Sequence, residues 1–400
     1  VDELFVVGID RGGCLSEEAR RCLERAGVIF ASPRLRDVFS QMAGSSGLLG
    51  KCRVLEKVDD TVAALRQSRG KAVVLASGDP LFFGIARRLL EEFPPEKVHI
   101  VPGVSSVQRA FARARLPWED ALFVSFHGPR RRDWSLDDLP LLCERHGKLA
   151  ILTGGENTSR DVAARLPRGA VVFVCERLGY PDERVRRSTP AGVRRMTVRE
   201  PSLLLVLAPP GERPLLGVDE EEMEHERGLI TKDEVRAVVL HKLRLPPRGV
   251  LWDVGAGSGA VGIEAKRLAP GLRVIAVEKD RARVEGIRRN AERLAAGGLE
   301  VIRGEAPRAL RSLLSPDRVF IGGAGKGLTE IIEHVSSRMK KGRVVMTAIT
   351  MESVEEALRA LRAQGLAPEA CSLSASRMTE VAGRHYMKAL NPVFVIEAGR

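Results

Sequence analysis

The stretch from Leu251 to Glu278 reads L-W-D-V-G-A-G-S-G-A-V-G-I-E-A-K-R-L-A-P-G-L-R-V-I-A-V-E. An apolar run, Val250 to Val254, enters Gly255-Ala256-Gly257-Ser258-Gly259. A helical pattern follows, Pro270-Gly271 ends it, and a second apolar run closes on Glu278. Glycines let the backbone turn sharply and approach a ligand closely, and the helix N-terminus beyond them offers free N–H groups. An acidic residue about 20 positions past the first glycines is placed to accept hydrogen bonds from a ribose diol. The pattern predicts a nucleoside-cofactor site; a glycine-rich turn without a ligand is the plain alternative.

Two nucleosides fit. Gly255, Gly257 and Ala260 satisfy the dinucleotide fingerprint, which tolerates Ala at its last position. S-adenosylmethionine (SAM) methyltransferases use the G-x-G-x-G form after a strand carrying an acid, and Asp253 lies where it would meet the methionine ammonium. The elements downstream favour SAM. Helices are expected at Asp280–Ala296, Leu328–Met339 and Ser353–Gln364, and strands at Glu300–Arg303, Arg318–Gly322 and Arg343–Ile349. Glu369–Ser376 and Pro392–Glu397 follow without a helix between them, as a closing antiparallel pair. Seven strands with an antiparallel end are the SAM-methyltransferase form of the doubly wound α/β sheet, whereas a dinucleotide fold repeats strand–helix units to its end.

At 400 residues the chain is long enough for two or three domains, and its 44% apolar content suffices for real cores. No apolar run approaches the roughly 20 residues of a membrane span. The opening V-D-E-L-F-V-V-G-I already reads as a buried strand, so no signal peptide is expected and the cytoplasm is the expected compartment. Cys14, Cys22, Cys52, Cys143, Cys175 and Cys371 show no metal or C-x-x-C spacing; reduced thiols and no metal site are expected. The net charge of +12 admits RNA or a small polyanion. Only two tyrosines are present, and no segment interleaves aromatic with basic residues as base stacking requires.

The first half carries its own α/β alternation. Strands are expected at Leu4–Ile9, Val28–Ala31, Ala72–Ser77, Val98–Val101, Leu122–Phe126, Leu149–Thr153, Val171–Cys175 and Leu203–Ala208. Helices are expected at Ser16–Ala26, Phe82–Phe93, Ser105–Arg115 and Thr158–Leu166. Leu116-Pro117-Trp118 divides this half into two lobes, about 1–116 and 117–208. Three loops lie at strand carboxyl ends, where open α/β sheets bind ligands: Gly8-Ile9-Asp10-Arg11-Gly12-Gly13, Ser77-Gly78-Asp79-Pro80-Leu81-Phe82-Phe83-Gly84, and Val101-Pro102-Gly103-Val104-Ser105-Ser106. Each has a plain structural reading, since Asp79 suits a turn and Ser105 a helix cap.

In that order the loops resemble the tetrapyrrole (corrin/porphyrin) methylase family. A-S-G-D-P-L-F-F-G-I, P-G-V-S-S-V-Q, L-P-W-E-D-A, G-E-N-T with Asn157, and the run Leu178–Arg186 resemble its CbiE branch. Residues from about 228 resemble the CbiT methyltransferases, through G-L-I-T-K-D-E-V-R-A-V, D-V-G-A-G-S-G, V-E-K-D, G-E-A-P-R-A-L, I-G-G and K-A-L-N-P-V-F. Together they resemble the fused CobL/CbiET family over nearly the whole chain. The domains are then expected at 1–208 and 228–400, with the acidic, proline-bearing stretch 209–227 as linker. Two departures stand out: Asp10 and Arg11 replace small residues of the family's first loop, and Gly383-Arg384-His385-Tyr386-Met387 brings bulkier polar groups where the family tends toward G-T-M.

The resemblance implies two SAM-dependent C-methylations, at C5 by the N-terminal domain and C15 by the C-terminal one. The substrate would be a precorrin-6 or cobalt-precorrin-6, with decarboxylation of its C12 acetate. It implies cofactor contacts from Thr231, Gly255, Ala256, Gly257, Ser258, Gly259, Glu278 and Ala306 in one domain. In the other they come from Gly78, Asp79, Pro80, Phe82, Ser105 and Ser106. Thr231 also reads as a helix cap completed by Glu234. Arg377 is the candidate for gripping a substrate carboxylate, because guanidinium pairs with carboxylate bidentately. His385 and Tyr386 are candidates to assist decarboxylation, or else cap the sheet. Arg130-Arg131-Arg132 reads as a solvated loop or a receiver of propionates. A homo-oligomer, dimer or tetramer, is expected, with no nucleic-acid or membrane partner. An RNA or DNA methyltransferase is the rival, through Asn391-Pro392-Val393-Phe394, which resembles an N-P-P-Y base-receiving loop. A tetrapyrrole carrier without activity is the second rival.

Overall fold

Short apolar runs alternating with amphipathic helices build three of the four sheets described in this chain. The computed structural model describes all residues except 10–14, 44–46, 127–133, 210, 212–213, 227–229 and 323–326. Asp10 to Gly13, Cys14 and the Arg130–Arg132 run therefore lie outside the described residues. The chain divides into two units, Val1–Arg132 with His146–Pro209, and Asp133–Arg145 with Pro210–Arg400. The division is not contiguous in sequence.

The first unit holds two five-stranded sheets. One is β1 (Glu3–Ile9), β2 (Val28–Ala31), β3 (Cys52–Val54), β4 (Lys71–Ser77) and β5 (Val98–Val101), in the order β3-β2-β4-β1-β5. All its pairings are parallel, and the central strands E-L-F-V-V-G-I and K-A-V-V-L-A-S are near-continuous apolar runs, as a sheet covered on both faces demands. Side-chain alternation sends Leu4 and Val6 into one core and Val7 and Ile9 into another. Helices α1 (Glu17–Arg25), α2 (Pro33–Ala43), α3 (Val58–Gln67), α4 (Ala86–Glu92) and α5 (Ser106–Ala114) accompany this lobe. Ser16 caps α1, its side chain accepting from the Ala19 N–H at 3.1 Å, as its position before two glutamates predicts.

The other sheet is β6 (Leu122–Ser125), β7 (Lys148–Leu152), β8 (Val171–Glu176), β9 (Arg184–Ser188) and β10 (Ser202–Leu207), in the order β6-β7-β10-β8-β9. It is mixed: β6 and β7 are parallel, the rest antiparallel. Helices α6 (Leu139–His146), α7 (Ser159–Arg165) and α8 (Pro190–Arg195) fall in this part of the sequence. The stretch carrying most of α6 groups with the second unit.

The second unit is built on β11 (Gly249–Val254), β12 (Leu272–Glu278), β13 (Glu300–Arg303), β14 (Arg318–Ile321), β15 (Arg343–Ala348), β16 (Glu369–Leu373) and β19 (Val393–Gly399), in the order β13-β12-β11-β14-β15-β19-β16. The first five run parallel and β19 lies antiparallel to both its neighbours, the expected seven-stranded sheet with a reversed end. A hairpin of β17 (Ser376–Val381) and β18 (Arg384–Ala389) stands apart as its own two-stranded sheet. Helices α9 (Asp233–Leu243), α10 (Ala260–Leu268), α11 (Arg281–Arg293), α12 (Leu328–Arg338) and α13 (Met351–Ala363) cover the large sheet, whose two faces pack separate apolar clusters.

Much of the stretch expected as linker is packed into this unit. Val218 and Met223 are buried in the core, and the Glu264 carboxylate accepts from the Gly217 and Val218 N–H groups. Glu264 also receives Arg236, and both side chains are 1% exposed. Removing one member of such a pair strands a buried charge, at a cost of about 3–5 kcal/mol. Asn290 clasps the same segment. It accepts from the Glu224 N–H (2.8 Å), while its amide donates to the Glu224 carbonyl (2.9 Å) and to the Ser258 carbonyl of the glycine loop (3.0 Å).

Candidate functional site

In the seven-stranded sheet the chain progresses outward from β11 through β12 to β13, then crosses back to β14 and β15. Such a reversal opens a crevice at the strand carboxyl ends, and the glycine loop fills the end of β11. Gly255, Gly257 and Gly259 all have left-handed φ values, 70°, 58° and 80°. The Gly255 and Ala256 N–H groups donate to the Val277 carbonyl at 2.9 and 3.1 Å, which pins the loop to β12. A Cβ at Gly257 would meet nothing within 4 Å, whereas one at Gly259 would press on Ile287 at 2.8 Å. Gly257 is thus the position of close approach, and Gly259 serves packing and starts α10.

Glu278, 5% exposed, closes β12. Its carboxylate accepts the Gly257 N–H through Oε2 (2.9 Å) and the Lys279 and Asp280 N–H groups through Oε1 (2.9 and 3.0 Å). Oε2 retains accepting capacity at the crevice wall. Above the loop lies a cavity of about 980 Å³ whose lining includes Thr231, Gly255, Ala256, Gly257, Ser258, Glu278 and Ala306. Gly259 is the one predicted residue of this set outside the lining. An open Cβ side at Gly257, an oriented carboxylate one strand away and a cavity of this size fit SAM.

Asp253 does not face the ligand space. It is 1% exposed and sits beneath the loop, where Oδ2 accepts the Gly262 N–H at 2.9 Å and Oδ1 has no partner. Burial pushes its carboxyl up to about 7, the Gly262 bond pulling against this and Glu278 adding to it. The anticipated contact with a methionine ammonium is therefore corrected: this acid supports the first turn of α10.

Three further expectations meet competing contacts. The Thr231–Glu234 capping box is not formed; Lys232 takes the cap position without a side-chain bond, and Glu234 turns to Arg377. Arg377 is committed rather than open to a substrate. Nε and Nη2 grip Glu234 in a fork at 2.8 Å each, and Nη1 donates to Glu220. The Arg377 guanidinium in turn holds the Glu234 carboxyl down at about 2. His385 and Tyr386 lie on β18, every residue of which is exposed, and neither lines the cavity. Asn391 does line it, but Val393 and Phe394 are strand residues paired with Leu373 and Ser372, so the stretch is not a base-receiving loop.

Sequence reasoning passed over the opposite wall. Thr347, Thr350, Ser353 and Glu356, at the end of β15 and the start of α13, line the same cavity, and Lys232, Lys279 and Arg283 bring positive charge to it. An isolated acid or hydroxyl on an amphipathic helix carries no sequence signal that separates cavity from solvent.

In the first unit the three loops converge through their glycines. The Gly78 N–H donates to the Ile9 carbonyl (2.9 Å) and the Gly103 N–H to the Gly78 carbonyl (3.2 Å). A Cβ at Gly8 would lie 2.0 Å from the Gly78 oxygen and 2.5 Å from the Gly103 nitrogen. A cavity of about 380 Å³ borders this junction, lined by Gly78, Asp79, Phe82, Ser105 and Ser106 from one lobe and by Ser125, Thr153 and Ser202 from the other. Pro80 is buried outside the lining; its carbonyl accepts the Ala86 N–H. Asp79 Oδ1 accepts the Leu81 N–H at 2.9 Å, the turn-forming role. Ser105 and Gln108 form a complete capping box on α5. Phe82 packs edge-on against Phe123, 5.2 Å between centroids. Cys175 also lines the cavity, but burial pushes its thiol up to about 12, which makes it inert. No cluster of metal-ligating side chains occurs among the described residues, and none of their helices is long and apolar enough to cross a membrane.

Comparison with known proteins covers both units. Residues 4–192 match the tetrapyrrole (corrin/porphyrin) methylases, and residues 222–399 match the precorrin methyltransferase domain. A precorrin-6Y C(5,15)-methyltransferase [decarboxylating] from Sinorhizobium sp is 32% identical over 366 residues, 88% of this chain and 86% of the relative. The protein of that name from Mycobacterium tuberculosis is 33% identical over 362 residues, 88% of each. A probable cobalt-precorrin-6B C(15)-methyltransferase (decarboxylating) from Pyrobaculum calidifontis is 40% identical over 185 residues, 46% of this chain and 95% of the relative.

Proposed function

Because the chain belongs to the precorrin-6Y C5,15-methyltransferases (decarboxylating) of cobalamin biosynthesis, SAM-dependent C-methyltransferases, we propose that its two units divide the work. The first unit methylates C5 of a precorrin, metal-free or cobalt-bearing. The second methylates C15 and releases the C12 acetate carboxylate as CO₂. The observation that carries this division is the presence of a separate glycine-built cavity in each unit. A second support is the similarity to a single-domain C(15) relative over 185 residues, about the length of the C-terminal family match.

SAM supplies an electrophilic methyl group on a sulfonium; the protein's tasks are alignment, dryness and charge placement. In the second unit Glu278 receives the ribose hydroxyls, and Gly255 to Ser258 admit the methionine portion against bare backbone. Ala306 lines the adenine end, and Thr231 closes the cavity on the α9 side. Ile321, Leu328, Ile331 and Met346 give it apolar walls that exclude water. Lys232, Lys279 and Arg283 also line the cavity, each paired with a glutamate; the Lys279–Glu305 pair is solvent-exposed and so the readiest to exchange its partner for a side-chain carboxylate of the macrocycle. In the first unit the Gly8–Gly78–Gly103 junction forms the floor, and Asp79, Phe82, Ser105 and Ser106 form one wall.

Mass spectrometry of metal-free and cobalt-bearing precorrin-6 forms, incubated with the protein and SAM, tests the reading. Two added methyl groups and one lost CO₂ are expected. Methylation without decarboxylation by the intact chain would overturn it, as would salt-dependent RNA binding without either reaction.

A further inference from the structure

The C15 reaction proposed for the second unit, and presupposed by this inference, has a proton to move. Methylating a ring CH releases one proton, and converting CH₂COO⁻ to CH₃ and CO₂ takes one up. The sulfonium charge and the carboxylate charge cancel, so the sum needs no acid or base from solvent. One group able to carry a proton from the ring carbon to the side-chain carbon is enough to complete it.

Six titratable side chains line the cavity: Lys232, Glu278, Lys279, Arg283, Glu305 and Glu356. Five are engaged by charged groups or by the backbone. Lys232 pairs with Glu220 at 2.9 Å, Lys279 with Glu305 at 2.9 Å and Arg283 with Glu226 at 3.2 Å. Glu278 is bound by three backbone N–H groups. Glu356 differs. Its Oε1 accepts a neutral hydroxyl, Thr329 Oγ1, at 3.1 Å, and no ion pair reaches it among the described residues. It sits on α13, which follows β15, and β15 is three strands from β12, where Glu278 closes the other wall. At the usual spacing that separates the strands by about 14 Å. The cavity thus has Glu278 and the ion-paired Glu305 at its ribose end and Glu356 at the far end, beside Thr347, Thr350 and Ser353.

We propose that Glu356 is the proton carrier of the decarboxylating methylation. The bond between the acetate CH₂ and its carboxylate breaks, CO₂ leaves, and the electron pair enters the conjugated ring. The ring carbon then bonds the methyl group with that pair, while the sulfur keeps the pair of the broken S–C bond. This neutral tautomer still has its hydrogen on the methylated carbon and a methylene at the side chain. The free Glu356 oxygen takes that hydrogen as a proton, its C–H pair returning to the ring π system. The same carboxyl group protonates the methylene, whose π pair becomes the new C–H bond. The side chain is then a methyl group, and the Glu356 carboxylate is restored.

Glu356→Gln tests this in the full chain, since the amide still accepts from Thr329 but cannot relay a proton. The variant is expected to bind SAM at the second site with unchanged Kd and to retain the first unit's methylation. It should lower kcat of the C15 step about 100-fold or more with little change in KM. It should also accumulate a species of product mass with a shifted absorption spectrum, the unrearranged tautomer. Glu356→Asp is expected to recover part of the rate and the normal spectrum. A Gln variant that forms product of normal spectrum within about threefold of the wild-type rate would overturn the assignment. Loss of SAM binding in the Gln variant with no recovery in the Asp variant would overturn it too, marking Glu356 as structural. Failure of the wild-type protein to release CO₂ would instead overturn the reading on which it rests.

Discussion

An acid and an arginine show how far a residue's type stands from its role. Asp253 has the right chemistry to meet an ammonium and the right place in sequence, yet it points beneath the loop into α10. Its neutral form is favoured in the folded protein, burial being the main cause. A folded value raised to about 7 contributes stability that is fully present below the unfolded value near 3.9. That contribution is lost as pH rises through about 7, and it amounts to about 4 kcal/mol across the window. Asp253→Asn, whose amide oxygen still accepts the Gly262 N–H, should remove this dependence. In thermal melts of both proteins between pH 5 and 8, the margin in favour of the variant is expected to widen from pH 5 to about pH 7 and to level off above it. Parallel curves would show that the carboxyl does not titrate there. Arg377 carries the complementary lesson: a guanidinium fork does meet carboxylate, but the partners are Glu234 and Glu220 of the same unit.

At the scale of elements, the close packing of Gly8, Gly78 and Gly103 makes a sharp prediction. Gly8→Ala places a Cβ against backbone atoms that no rotamer change can move, and such overpacking costs roughly 1–3 kcal/mol or more. The variant should lose C5 methylation and lower the melting temperature, while SAM binding by the second unit persists; normal C5 turnover would contradict the role given to the junction. The same junction explains what was legible beforehand. Buried parallel strands announce themselves as apolar runs, so β1, β2, β4 and β5 were readable to within a residue or so, and the loops at their ends with them. The hairpin β17–β18 was not: Ser376–Val381 alternates only between exposed and half-buried positions, with the polar Arg377 and Thr379 on the half-buried side, and Arg384–Ala389 is wholly exposed. Short helices such as α6 and α8, with proline in the first turn, gave too little periodicity. The cofactor wall of the second cavity was written in glycines, whereas the α13 wall, with Glu356, was spelled in residues that any amphipathic surface uses.

At the scale of the molecule, the proposed function requires two SAM sites of different construction in one chain. The one proposed in the second unit is a glycine loop and an acid at the reversal point of a seven-stranded sheet; the one proposed in the first unit is a cavity lined by two lobes and floored by a glycine junction within one of them. The C-terminal boundary falls earlier than composition suggests, because the acidic stretch before α9 is bound to α10 and α11 through Glu264 and Asn290. Its charge is spent on ion pairs rather than on keeping a linker solvated. Gly257→Arg tests the division directly. Its left-handed φ of 58° costs an ordinary residue about 1–2 kcal/mol, which a packed unit tolerates, and the new side chain enters the cavity. Mass analysis of the precorrin product from this variant should find one added methyl group and the acetate intact. Loss of both methylations together, or retention of both with CO₂ release, would contradict two independent sites.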